Sequence, residues 1–304
     1  MPIFNKDREA LKKTLIRRNF PKDIIVETTA YCNLKCIMCP QSTMTRPKGN
    51  MSLQTFKKIA DEVAKHKRSR MWLAIMGEPL LQPERLINIV YYAKHIGVKK
   101  VCLNTNGTYL VPKVAKNLIY SGLDEFLIGI DASEEATYNK IRRGGDFVEV
   151  VGNTIALLKY TRGYITPKVI VQFIVMRENE SEVEEFKRFW LSRGAIVKIR
   201  PRLGWRVKDT YELEVGDQER YPCPWLLNAA SIQWNGKFNQ CDGGWSGDYS
   251  PGDINKQTIE EVWNGELKER RKKHWEGDFT HPLCSECKDW MVPKSKFYYP
   301  RKSK

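Results

Sequence analysis

Six short β-rich runs, at 24–28, 72–76, 100–104, 126–131, 169–175 and 196–200, alternate with amphipathic stretches of helical length. Parallel strands need a crossover connection and a helix supplies one, so the alternation predicts repeated βα units around a parallel sheet. The breaks fall where local chemistry starts or ends a helix. Ser52 is placed to cap a helix through Lys65, and Pro83 opens one closed by Gly97. Pro112 begins one ended by Gly122, and Ser181 precedes one stopped near Gly194. Six units predict an α/β fold, a partial parallel (β/α)6 TIM-like barrel, whose chemistry gathers beyond the C-terminal ends of the strands. That end receives Cys32, Cys36 and Cys39 after the first strand, Gly77, Glu78 and Pro79 after the second, Asn106 after the third and Asp131 at the end of the fourth.

Beyond Trp205 the βα rhythm stops and Cys, Trp and Gly become frequent, which places a boundary between Gly204 and Gln218. The expected division is a basic N-terminal helix at 1–22, a barrel core at 23–212 and a small cysteine-rich domain at 213–304 that ends in a basic tail. In the last unit, Asn235-Gly236 between two β-rich runs predicts a tight type I′ hairpin. Thr258 with Glu261 makes a capping box for a helix running towards His274. Gly144-Gly145-Asp146-Phe147 matches a nucleotide-cyclase signature by spelling alone and is set aside.

No apolar run reaches the ~18 residues of a membrane span, and residues 1–20 alternate charges with single apolar residues, unlike a secretory signal. A cytoplasmic, reducing setting is therefore expected, in which the eight cysteines read as metal ligands or catalytic groups, not disulfides. The formal charge of +15 suits either an acidic polymer or an anionic small substrate. Much of it lies near the termini and no nucleic-acid-binding motif accompanies it, so nucleic acid is not the expected partner.

Cys32, Cys36 and Cys39 form C-x3-C-x2-C within one loop. Three thiolates leave one iron of a cubane cluster open, which implies chemistry at that iron. Structural zinc is normally closed by four protein ligands, and no histidine lies near this loop. The spacing, placed after the first strand of a βα series, resembles the radical S-adenosylmethionine (SAM) superfamily, and the similarity extends across 23–202. The resemblance implies a 4Fe-4S cluster whose open iron is chelated by SAM. It also implies one-electron cleavage of SAM to a 5′-deoxyadenosyl radical that abstracts a substrate hydrogen, with the electron coming from an external reductant such as flavodoxin or ferredoxin.

Gly77-Glu78-Pro79 matches the last three positions of that family's Gly-Gly-Glu-Pro motif, which contacts the methionyl amino group, with Met76 in place of the first glycine, and Glu78 is a suitable acceptor for an ammonium. Asn106 joins these cofactor-binding candidates. Asp131 resembles the polar residue near the ribose, although Gly129 stands where that motif has serine. Arg142 resembles the arginine that meets the cofactor carboxylate, with Arg143 as its competitor. The alternative for Asp131 and Arg142 is a surface charge or a helix cap. Met38 replaces a frequent aromatic residue before the third cysteine.

Cys223, Cys241, Cys284 and Cys287 make a second group, the last two as C-x2-C, and four thiolates close a metal site. Four-cysteine zinc suits the spacing alone. The run through a hairpin and a helix to C-x2-C resembles the SPASM and Twitch auxiliary-cluster domains, and in particular enzymes of the 2-deoxy-scyllo-inosamine dehydrogenase type, which oxidise a cyclitol alcohol. That implies a second 4Fe-4S cluster, either structural or accepting an electron from a substrate radical.

The expected function is a radical SAM dehydrogenase acting on an alcohol of a sugar, cyclitol or nucleotide sugar. The alternatives are a redox-neutral epimerase or dehydratase, in which Cys102 serves as hydrogen-atom donor, and a peptide-modifying maturase. Arg200, Arg202 and Arg206, after the sixth strand, are candidates to hold an anionic or polyhydroxylated small molecule, or else are surface arginines.

Overall fold

The computed structural model describes residues 19–205, 220–291 and 295–300. The basic helix expected at 1–22 falls mostly outside them, as does Arg206. Six parallel strands, β1 (Asp23–Val26), β2 (Arg70–Leu73), β3 (Val101–Thr105), β4 (Glu125–Gly129), β5 (Lys168–Val175) and β6 (Ile196–Pro201), lie in sequence order in one sheet. This is the partial parallel barrel that the βα rhythm predicts.

The intervening helices are α1 (Leu53–Lys65), α2 (Pro83–His95), α3 (Pro112–Tyr120), α4 (Glu135–Ile141), α5 (Phe147–Thr161) and α6 (Val183–Ser192). In α1, Phe56, Ile59, Ala60 and Val63 recur on one face and are buried, while the hydroxyl of Ser52 accepts the Thr55 N–H at 3.0 Å as the N-cap. At the end of α2, Val98 N–H reaches Ala93 O at 2.9 Å and Gly97 N–H reaches Lys94 O at 3.1 Å, a turn that needs the φ of +100° at Gly97. Gly122 closes α3 in the same way. The cap expected at Ser181 is different: Ser181 lies inside a short 3-10 turn, Glu180–Glu182, and α6 starts at Val183 without a side-chain cap. Asp146 of the Gly-Gly-Asp-Phe tetrapeptide caps α5 by accepting the Glu149 N–H at 2.9 Å.

The cysteine-rich segment extends the same sheet. After α7 (Pro224–Asn228), β7 (Ala229–Ile232) pairs parallel to β1, with Ile24 opposite Ala230. The hairpin partner β8 (Phe238–Asn239) lies outside it. At the other edge β9 (Lys296–Tyr298) runs antiparallel to β6. The hairpin turn is not type I′. Gly236 carries a positive φ of +92° and Asn235 does not; Gly236 N–H meets Gln233 O at 2.9 Å and Gln233 N–H meets Lys237 O at 2.8 Å. That is a type I turn followed by a glycine bulge, which needs one left-handed residue where type I′ needs two. The capping box at Thr258 and Glu261 forms, but its helix α8 (Ile259–Asn264) stops at Gly265, and a separate α9 (Glu266–Trp275) carries His274.

Candidate active site

The loop that leaves β1 is pinned from two sides. Lys35 N–H donates to Arg143 O at 2.9 Å and Ile37 N–H to Ile141 O at 3.0 Å, tying the cysteines to the end of α4. From the other side Glu78 N–H donates to Tyr31 O at 2.8 Å. The neighbouring Gly77 must be glycine, since a Cβ there would stand 2.0 Å from the backbone oxygen of Thr29.

Cys32, Cys36 and Cys39 then line one cavity of about 130 Å3, together with Gly77, Glu78, Asn106 and Arg142. The strand ends therefore converge as the barrel geometry predicts. Burial raises all three thiols, Cys32 to about 11 and Cys39 to about 12. Thiols raised in this way would release protons on binding a metal.

Glu78 is wholly buried, and its carboxylate is locked: one oxygen accepts Leu80 N–H at 2.9 Å and Thr105 Oγ1–H at 2.7 Å, the other accepts Asn106 N–H at 2.7 Å. Desolvation raises its pKa and these donors oppose the rise. Pro79 does not reach the wall; it begins the turn Pro79–Leu81 that presents Leu80 N–H to Glu78. Asn106 Nδ2 donates to Asn33 Oδ1 at 2.9 Å and lies 4.0 Å from Cys32 Sγ.

Asp131 and Arg142 act as one unit. Asp131 is fully buried with φ +63°; its Oδ1 accepts Ile174 N–H at 2.7 Å, and its Oδ2 accepts Arg142 Nε at 2.8 Å and lies 2.5 Å from Nη2. Arg142 Nη1 faces Cys36 Sγ at 3.7 Å. Burial works against the guanidinium charge, but Asp131 and then Cys36 hold its pKa above the ordinary value. Asp131 thus stands behind Arg142 and off the cavity wall, while Arg143 is exposed.

The same cavity is also lined by residues that the sequence did not single out, Gln172, Asn104 and Trp205, and by the expected Arg200. Gln172 Oε1 accepts Arg200 Nε at 3.2 Å. A lone glutamine at a buried position of an apolar strand was the available signal. Arg202 is off the wall, donating to Ile37 O at 3.4 Å. Cys102 is fully buried in β3 and also off the wall, and burial pushes its thiol up.

In the second group, Cys223 heads α7, and its thiol is pushed up to about 12 by burial, with Cys287 and Cys284 nearby. Cys287 N–H donates to Cys284 O at 3.0 Å, closing the C-x2-C turn. Gln240, which precedes Cys241, donates its side-chain N–H to Cys284 Sγ at 2.9 Å. His274, which the sequence marks only as the end of a helix, lies on the same sulfur; burial, then Arg220, lowers its pKa to about 4. Among the described residues, no three His, Cys, Asp or Glu side chains gather as on one metal ion. Three cysteines on one cavity, and Cys223, Cys284 and Cys287 near one another in the second segment, are sulfur donors of the kind that suit iron-sulfur clusters.

Comparison with known proteins settles the family. The model of the radical SAM superfamily matches residues 26–189, and that of the SPASM iron-sulfur cluster-binding domain matches 223–288. The chain belongs to the radical SAM superfamily. Its cofactors are accordingly 4Fe-4S clusters, at the radical site and in the SPASM segment, and SAM. Like other radical SAM enzymes it needs a reductant and a substrate. The tungsten-containing aldehyde ferredoxin oxidoreductase cofactor-modifying protein of Pyrococcus furiosus is 30% identical over 177 residues, 57% of this chain and 49% of that protein. The mycofactocin maturase MftC of Mycobacterium tuberculosis is 29% identical over 212 residues, 66% of this chain and 51% of its own. The chain spans about half the length of these curated relatives. Among solved structures, BtrN in complex with AdoMet and 2-DOIA superposes with a TM-score of 0.64 at 20% identity, covering 88% of this chain and 92% of its own. SuiB of Streptococcus suis bound to SAM gives 0.69 at 13% identity, covering 94% and 75%. At these identities the likeness concerns the fold. Among the described residues, no helix is long and apolar enough to cross a membrane.

Proposed function

We propose that this radical SAM enzyme is an oxidoreductase that converts an alcohol of a small polyhydroxylated or anionic molecule, such as a sugar, cyclitol or nucleotide sugar, to a carbonyl. The observation that carries the reading is the shared cavity: Cys32, Cys36, Cys39 and Arg142 line it together with Arg200 and Gln172. Cys32, Cys36 and Cys39 would hold the radical-generating cluster, and Cys223, Cys241, Cys284 and Cys287 the second. Glu78 and Asn106 would orient the SAM amino group and Arg142 its carboxylate. When bound, these groups supply the hydrogen-abstracting radical and a place for a second electron.

Oxidation of an alcohol removes one hydrogen atom, one proton and one electron. The chain's own residues bind and polarise the hydroxyl. Arg200, whose Nε donates to Gln172 Oε1 and whose Nη1 donates to Pro201 O, brings a guanidinium charge to the cavity that suits a hydroxyl or an anionic oxygen. Trp205 lines the same cavity. Cys102, buried away from the wall, is not positioned to return a hydrogen atom, which favours net oxidation over epimerisation. The division into a core at 23–212 and an auxiliary unit at 213–304 belongs to this proposal, with β7 of the second unit completing the sheet of the first.

The test is anaerobic turnover with SAM and a one-electron reductant against a panel of cyclitols, sugars and nucleotide sugars. The expected product is lighter than substrate by two hydrogens, with one 5′-deoxyadenosine formed per product. A product of unchanged mass that carries solvent deuterium at carbon would replace this reading with a redox-neutral one.

A further inference from the structure

His274 lies on α9, far along the chain from every cysteine of the radical site, and is 2% exposed. Its Nδ1 accepts the backbone N–H of Cys223 at 3.3 Å. A ring nitrogen that accepts carries no proton, so the neutral ring has its hydrogen on Nε2. That Nε2 stands 3.3 Å from Cys284 Sγ, and the N–H therefore points at the sulfur.

A second donor meets the same atom. Gln240 Nε2 is 2.9 Å from Cys284 Sγ. Its Oε1 accepts from Arg270 Nη1 at 2.9 Å, and Arg270 is itself held by Glu266 and by Tyr249 O. A guanidinium cannot accept a hydrogen bond, so the amide cannot be turned over. Both donors are thus oriented by partners that fix their sense: a backbone N–H for His274 and an arginine for Gln240. Cys36, at the radical site, faces a single Arg142 nitrogen at the longer distance of 3.7 Å.

We propose that His274 and Gln240 are positioning residues that set the reduction potential of the auxiliary cluster through N–H···S bonds to Cys284. A donor at a ligand sulfur withdraws electron density and stabilises the reduced cluster, so it raises the potential. This favours a cluster that takes an electron over one that gives it away. The inference rests on Cys284 as an auxiliary ligand, part of the functional reading above, and extends it to residues that touch no substrate.

The test is an EPR-monitored redox titration of the full-length, anaerobically reconstituted chain in the Cys32/Cys36/Cys39→Ala background, where the auxiliary signal stands alone. His274→Phe and Gln240→Leu are each expected to move the midpoint to a more negative value, and the double variant further. His274→Gln, which places an amide N–H near the position of Nε2, recovers part of the shift. Unchanged midpoints in chains holding about four irons overturn the proposal. Should His274→Phe lose iron, an unchanged midpoint in Gln240→Leu overturns it equally. Separately, a Cys284→Ala chain that keeps its full auxiliary iron refutes the ligand assignment itself, whatever substrate the enzyme takes.

Discussion

A Cβ built on Gly129 would stand 2.2 Å from Nη2 of Arg142, so the guanidinium occupies the space where a side chain at 129 would be. The absent serine of the fourth-strand motif and the inward arginine are therefore one feature. Gly129→Ser displaces Arg142 from Asp131 and from the Cys36 side of the cavity. The expected outcome is destabilisation of about 1–3 kcal/mol from overpacking, with SAM cleavage reduced at least ~10-fold and iron content unchanged. Urea unfolding, 5′-deoxyadenosine formation and iron analysis of one preparation check it.

Removing the arginine itself is a stronger perturbation. Arg142→Met leaves the carboxylate of Asp131, which has no solvent exposure, without its cation, and breaking a buried pair from one side costs about 3–5 kcal/mol. Arg142→Lys keeps the charge but not a planar group that reaches both Asp131 and Cys36. The lysine variant is therefore expected to recover most of the stability and little of the SAM-cleaving activity. Equal recovery of both would reduce Arg142 to a structural counter-ion.

Features dictated by local chemistry were legible in the sequence. Ser52, Gly97, Gly122 and the Thr258 capping box act where residue type alone places them. The C-terminal ends of the strands bring Cys32, Cys36, Cys39, Glu78, Asn106 and Arg142 to one cavity because, in a parallel βα repeat, all the segments that follow strands emerge at the same end. What escaped depends on tertiary partners. Asp131 reads as a wall residue until its position behind Arg142 is known, and Gln172 gains meaning from Arg200, which lies on the next strand. His274 has no motif at all; its role comes from a backbone N–H 51 residues away and a sulfur 10 residues away. The parallel pairing of β7 with β1 joins residues some two hundred positions apart, beyond any local signal.

Ile75, on the cavity wall, adopts a φ of +107°, a conformation that strains a β-branched residue by about 1–3 kcal/mol. Alanine normally exceeds glycine in stability by roughly 0.5–1 kcal/mol through backbone entropy. Here the order reverses, because alanine keeps the strain and glycine releases it. Ile75→Gly is therefore expected to melt above Ile75→Ala in a calorimetric comparison of metal-free chains. The ordinary order would show that the loop relaxes on its own.

Gly77 couples the second strand to the cluster loop through backbone, where nothing flexible can yield. Its added Cβ would meet Thr29 O at 2.0 Å and Tyr31 O at 2.9 Å, so Gly77→Ala forces the segment that leads into Cys32 to move. Burial of Cys32 and Cys39 leaves little slack in a loop whose three sulfurs are proposed to hold one cluster. The nearest atoms it would meet belong to Thr29 and Tyr31 and none to Cys223, Cys241, Cys284 or Cys287. Anaerobic reconstitution is expected to give about eight irons per natural chain, about four for a Cys32/Cys36/Cys39→Ala chain, and close to four for Gly77→Ala. In Gly77→Ala the remaining iron belongs to the second site, so adding SAM leaves its EPR spectrum unchanged. Eight irons with a SAM-responsive signal in Gly77→Ala would mean that the loop forms independently of its contact with Gly77.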